Sequence, residues 1–448
     1  MIVMKFGGTS VQDAEAIRRV ISIVRTRLAD KPVVVVSALA RVTRLLVQIA
    51  EEAESGNMPA IEKDLAALRE RHLNLCGDLL EGGLLEETRA RIGALCDSLS
   101  DFAGGVCRIG ELSPRSRARI VSTGEVLSST IVSAAFNAVG IPCKWLDARQ
   151  MVVTDDNYMS AGVNREETRA NVLRIIPEAF KGEQMVLTQG FIASTSAGAT
   201  SVLGFEGSDY SAALFGMSLD AERVEIWTDV DGIRTSDPRV VAETGRIPRV
   251  SYDEAAVMAC LGARVLHPLT MGPARSRNIP IRVLNTMNPE GPGTTVAGEG
   301  GESGPKCLAF LPEIDYVEVT SEGFGPASAM TGDIFRTLEA HGVVPSLSAS
   351  SVSKVSLSFE CGQEGLPAAL EALSGKYNVT LHRDKAQISV VGGGVAMDSA
   401  VTDAICASGP VHMLSAGADL MSLSAVTDRE GFRDMAGKIH ERLFLGND

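Results

Sequence analysis

Residues 1–36 read MIVMKFGGTSVQDAEAIRRVISIVRTRLADKPVVVV. An apolar run ends on Lys5 and Phe6, and Gly7, Gly8, Thr9 and Ser10 follow with almost no side chain. Ile17, Val20, Ile21, Val24 and Leu28 then recur at the spacing of one helical face. Val33 to Val36 form a second apolar run, suited to a strand buried on both faces. The order is strand, turn, helix, strand, a βαβ unit that opens a parallel sheet. Ser10 with Asp13 fits a capping box for the helix. Such a turn gathers backbone N–H groups and the positive end of a helix dipole at one place, and phosphate suits that place. The lysine precedes the glycines, so this is no P-loop, and a plain tight turn would use the same glycines.

Residues 44–105 read as helices, with Leu65, Leu68, Leu75 and Leu79 at helical intervals. A further helix is expected over 117–139, carrying Glu125, and strands near 142–146, 185–192 and 223–228. Alternating strands and helices predict an α/β fold with a doubly wound, mostly parallel sheet and ligands at the carboxyl ends of its strands. Glycine and proline interrupt the pattern over 285–306, which marks the main domain boundary. Beyond it lies a repeat: LSAS at 347–350 with SLS at 356–358 is echoed by LSAG at 414–417 with SLS at 422–424. Each copy follows a strand-like run, Val317–Val319 or Ile388–Val391, and a helix ending near Gly342 or Gly409. This predicts two small βαββαβ units packed edge to edge.

At 448 residues, two or three domains are expected. A net charge of −14 excludes a general nucleic-acid surface, so a small anionic substrate needs a local basic pocket. The eight cysteines are scattered singly, without metal-ligand spacing, and read as reduced thiols; no metal site is expected. No apolar run approaches the roughly 20 residues that span a bilayer, so no membrane partner is expected, and the cytoplasm is the expected location.

Two further stretches carry chemistry. In GFEGSDYSAALFG, 204–216, Gly207 permits close backbone approach, Ser208 caps a helix and Asp209 lies in its first turn. An acid beside an anion site is useful only where it orients a cation such as Lys5, although a plain helix cap would use the same two residues. In IWTDVDGIRTSDPR, 226–239, a strand ends on Thr228 and Asp229, and Arg239 can pair a phosphate, the plain alternative being a hydrophilic loop.

Taken in order, KFGGTS, VVSA, STGE, GSDYSA, WTDVDGI, TSDPR and GARVLHP resemble the aspartokinases of the amino-acid-kinase fold, and the tandem repeat is similar to that family's paired regulatory ACT domains. The resemblance implies a kinase domain over 1–285, a linker over 286–305 and ferredoxin-like ACT domains over 306–383 and 384–448. It implies phosphorylation of the side-chain carboxylate of L-aspartate by ATP to 4-phospho-L-aspartate, the first step toward lysine, threonine and methionine. Mg²⁺ accompanies the ATP, an amino-acid effector binds the ACT domains, and the chain is expected to be a homodimer. By the same resemblance Lys5 holds the transferring phosphoryl group, with Asp209 orienting it. Gly7, Gly8 and Ser37 supply donors, Gly207 and Ser208 line the substrate site, and Thr43 and Glu125 contact aspartate. Thr228, Asp229, Arg234, Arg239 and Arg264 hold the nucleotide.

Several positions depart from the family pattern. Phe205 stands where an arginine grips a substrate carboxylate, Arg41 and Arg44 where glycine and asparagine are usual, Arg264 where a nucleotide lysine is usual, and Arg234 replaces an aromatic. Ser346 and Val352 replace acids of the effector site, so weak or absent inhibition by lysine is expected, with threonine the better candidate. The lone histidines, His267 among them, are expected to be structural. Two other readings stand beside the kinase: an amino-acid sensor that has lost catalysis, and a kinase for another acidic acyl substrate.

Overall fold

The computed structural model describes residues 1–204, 207–263, 266–321 and 327–445. They divide into two compact units, Met1–Gly232 with Leu269–Gly298, and Ile233–Pro268 with Glu299–Asp448. The chain therefore leaves the first unit at 232, returns at 269 and leaves again at 298, inside the stretch where the glycine and proline composition shifts.

In the first unit the strands run Cys143–Trp145, Met185–Gln189, Pro32–Val36, Ile2–Phe6, Val224–Thr228 and Ile281–Asn285, all parallel, with Thr294–Ala297 antiparallel beside the last. From Ile2–Phe6 the chain builds outward to both sides, so the crevice between this strand and Val224–Thr228 is the topological switch point. Register places Phe6, Val36 and Trp227 level with one another, and Val36 level with Gln189. Gly7, Ser37, Thr228 and Gly190 therefore stand in one row along the carboxyl edge. Val33–Val36 are fully buried, as a strand covered on both faces must be.

The helices refine the sequence reading. A 3-10 turn, Gly8–Val11, intervenes before the first helix, Ala14–Arg25, whose cap is Asp13: its carboxylate accepts from Ala16 N. Ser10 is buried in the turn and does not cap, so the expected capping box is absent. Leu28 falls in a second short turn, beyond the helix. The excursion consists of the helices Val42–Glu54, Met58–Leu79 and Gly82–Ile109. The helix expected over 117–139 is two, Pro114–Val121 and Thr123–Ala138, with Glu125 in the first turn of the second. No helix among the described residues is long and apolar enough to cross a membrane.

The second unit holds one antiparallel sheet in the order Leu347–Ser350, Lys354–Glu360, Gly304–Thr320, Asn378–Gly393, Ser422–Asp428 and Met413–Ala416. The two repeats share its long central strands. Residues 314–320 pair with Lys354–Glu360 and belong with the first repeat, while Cys307 to Leu311 pair with Val391 to Gln387 of the second. The register shifts between Leu311 and Ile314, where Pro312 lacks an N–H for the ladder. The cores divide the same way. Leu308 and Phe310 pack with Ile388, Val401, Leu423 and Ile439, whereas Val317 and Val319 pack with Ile334, Leu357 and Leu373. The second repeat is thus completed by a strand that precedes the first.

Candidate active site

Lys5 is the penultimate residue of the central strand. The helix Gly207–Leu219 lies against that strand and presents Asp209, whose Oδ1 stands 2.5 Å from Lys5 Nζ. Both side chains are largely buried, 12% and 8% exposed, so the pair attracts more strongly than it would in open water. A Cβ on Gly7 would lie 3.6 Å from Nζ, so the ammonium curls over the start of the glycine turn. Ser208 is the second residue of its helix rather than a preceding cap, and its Oγ accepts from Ser37 Oγ at 3.0 Å. Gly190 makes that approach possible: a Cβ there would lie 2.7 Å from Ser208 Cα. The following residue, Phe191, has φ 67 and donates its N–H to Ser211 Oγ at 2.9 Å.

Glu125 enters from beneath the loop after Ser37. Its Oε1 accepts from Ala38 N at 3.4 Å, Oε2 is buried without a partner, and the residue is 2% exposed. Burial pushes its carboxyl up to about 8, against the smaller pull of its own and the Ala38 backbone N–H groups. Ser128 donates to Ser37 O at 2.6 Å and fixes the same loop from the helix side. A Cβ on Gly124 would lie 2.9 Å from the Ala38 Cβ, so this helix meets the loop at a glycine. Thr43 lies half-buried in the first turn of Val42–Glu54.

Further along the edge half-buried Thr228 donates from Oγ1 to Oδ1 of the exposed Asp229 at 3.2 Å. Asn285 Nδ2 and Asn288 Nδ2 donate to Asp231 at 2.9 and 3.2 Å and brace the same turn.

The structure thus brings Lys5, Gly7, Gly8, Ser37, Glu125, Gly207, Ser208 and Asp209 together, with Thr228 and Asp229 on the same edge. Arg234 and Arg239 belong to the second unit. There Arg234 Nε donates to Thr244 Oγ1 at 2.6 Å, and Arg239 pairs with Asp237 at 2.7 Å with its side chain 88% exposed. Their segment is fastened to the second repeat: Thr235 Oγ1 meets His440 Nε2 at 2.9 Å, and Val241 enters the repeat's core. Phe205 and Arg264 lie outside the described residues. Gly190, Ser128 and Asn285 were not singled out in the sequence. For Gly190 a signal existed, a glycine directly after the apolar run MVLTQ.

A lysine–carboxylate pair, hydroxyls and close-packed backbone on one edge can align an anion, and a buried, unpaired carboxyl oxygen nearby can meet a cation. Among the described residues no three His, Cys, Asp or Glu side chains group as a metal site. An ATP-borne Mg²⁺, which keeps water and phosphate ligands, needs no such cage.

The model of the amino acid kinase family matches residues 1–285. The lysine-sensitive aspartokinase 3 of Escherichia coli (strain K12) is 31% identical over 457 residues, covering 99% of each chain. The crystal structure of E. coli aspartokinase III with aspartate and ADP (R-state) superposes with a TM-score of 0.87 at 28% identity, covering 99% of this chain and 100% of that one. The structure of the same enzyme with lysine and aspartate (T-state) gives 0.83 at 29% identity, covering 99% of both.

Proposed function

Because the chain belongs to the amino acid kinase family and, within it, to the aspartokinases, we propose that the edge built on Lys5 is where ATP phosphorylates the side-chain carboxylate of L-aspartate. The observation that carries this reading is the Lys5–Asp209 pair at the topological switch point. Phosphoryl transfer asks for alignment and charge stabilisation, with little covalent work for the protein. Lys5 neutralises charge growing on the transferring group, and Asp209 keeps its ammonium over Gly7. Glu125 receives the ammonium of aspartate, which gives its orphan oxygen a partner. Ser37 and Ser208 orient the acceptor carboxylate, with Thr43 alongside. Thr228 and Asp229 hold the nucleotide. A Mg²⁺ carried by ATP would shield the phosphate charge.

The lysine–aspartate pair favours an enzyme over a sensor, since binding alone has no use for it. A homodimer in the cytoplasm, with an amino-acid effector on the ACT repeats, completes the reading. Ser346 Oγ is engaged by Ser358 O and Gln387 Oε1 at 2.9 and 3.1 Å, and Val352 is exposed, so inhibition by lysine is expected to be weak.

The test is trapping of the acyl phosphate with hydroxylamine. Aspartyl hydroxamate forming only with ATP and aspartate supports the reading, and product with glutamate or an acylated amino acid instead would replace the substrate.

A further inference from the structure

Arg71 belongs to none of the motifs. It lies in the helical excursion, on the helix Met58–Leu79. Its guanidinium reaches out of the excursion to two main-chain carbonyls: Nη1 donates to Ala40 O at 2.8 Å and Nη2 to Gln12 O at 3.3 Å. Gln12 closes the turn that begins with Gly7 and Gly8. Ala40 lies between Ser37 and Thr43, in the loop above Glu125. One planar cation therefore holds the phosphate-side turn and the aspartate-side loop at once, through a two-pronged geometry that lysine cannot copy.

Both main-chain polar groups of Ala40 are held. Its N–H donates to Gly8 O at 3.1 Å while its carbonyl receives Arg71. The next residue, Arg41, has φ 70, a left-handed conformation that a side chain other than glycine keeps only when its surroundings enforce it. Arg41 opens the helix Val42–Glu54, so the direction of the Ala40 carbonyl sets where that helix, and Thr43 in its first turn, begins. Burial and then the nearby Arg41 cation lower the Arg71 pKa, with Asp13 opposing them. The arginine is held there by its carbonyl partners against a like charge.

Resting on the aspartokinase reading, we propose that Arg71 is a positioning residue for phosphoryl transfer, a clamp that keeps the Gly7–Gly8 turn and the Ser37–Thr43 loop at their working separation. It touches neither substrate; it acts through the backbone that does.

The experiment compares full-length wild type, Arg71→Ala and Arg71→Lys by steady-state hydroxamate formation, thermal melting and rescue with methylguanidine. Arg71→Ala is expected to melt near wild type while kcat/KM for aspartate falls about 100-fold, the scale of a misplacement near 1 Å. The loss is expected as a lower kcat together with a higher KM for aspartate, because both loops loosen. Methylguanidine should restore activity several-fold to Arg71→Ala and leave wild type unchanged. Arg71→Lys, with its charge but without the fork, should stay at least about fivefold below wild type. Kinetic constants of Arg71→Ala within twofold of wild type would overturn the proposal. So would a loss that tracks a fallen melting temperature and resists methylguanidine. If Arg71→Ala does not fold, Arg71→Lys decides: impaired turnover at wild-type melting supports the clamp, and wild-type turnover overturns it. A wild type without aspartate-dependent product would instead overturn the aspartokinase reading, which separates the two failures.

Discussion

Glu125 holds a proton that most glutamates have lost at neutral pH. With its carboxyl at about 8, it is mostly neutral at pH 7 in the ligand-free protein. An ammonium at its unpartnered Oε2 would favour the charged form and expel that proton. Aspartate binding at pH 7 is therefore predicted to release roughly one proton, read by calorimetry in buffers of different ionisation enthalpy. Glu125→Gln should bind more weakly and release none. The sign for stability follows from the same shift. Between the ordinary carboxylate range and about 8 the folded state binds the extra proton, so this residue's contribution is largest at low pH and is lost as pH rises through 8. Melting temperature against pH should be flatter for Glu125→Gln across that interval, and an unchanged slope would remove Glu125 as its source.

Gly8 shows how two elements meet. A Cβ there would lie 2.9 Å from Ala38 O and 3.3 Å from Ala40 N, both backbone atoms of the loop after Pro32–Val36. Gly8→Ala is predicted to force the turn and that loop apart and to lower kcat/KM about 100-fold, with melting within a few degrees of wild type. Kinetics at wild-type level would show that the loops have slack.

The alternation of strands and helices was legible because buried strands and amphipathic helices leave periods of their own in the sequence. The Gly7–Gly8 turn was legible as a turn, but its need for glycine was not, since the clashing atoms lie some 30 residues away. Ser10 and Asp13 could each begin a helix on sequence alone, and the buried 3-10 turn chose Asp13. Arg71 left no trace, because its partners are carbonyls, which every residue has.

For the whole molecule, the tandem repeat was readable from LSAS and LSAG, but the sharing of a strand was not. Leu308, Phe310, Val317 and Val319 lie on one continuous strand, and only pairing assigns them to different cores. The consequence is that cutting at 383/384 separates no independent domain. A chain ending at 383 would expose Leu308 and Phe310, two large apolar side chains worth about 1.5–3 kcal/mol each when fully buried. It is predicted to aggregate or to lose cooperative unfolding, as seen by size-exclusion chromatography and thermal melting. A monodisperse, cooperatively melting fragment would contradict the shared core.

Stabilisation of the transferring phosphoryl group by Lys5, held by Asp209, is what the proposed mechanism turns on. Its most direct test is hydroxamate formation from ATP and aspartate by Lys5→Ala, with wild type beside it and melting recorded for both. Turnover should fall by roughly 1,000-fold, since the lost charge acts on the transition state, with the fold retained. Turnover of Lys5→Ala within tenfold of wild type, at wild-type melting, would contradict it.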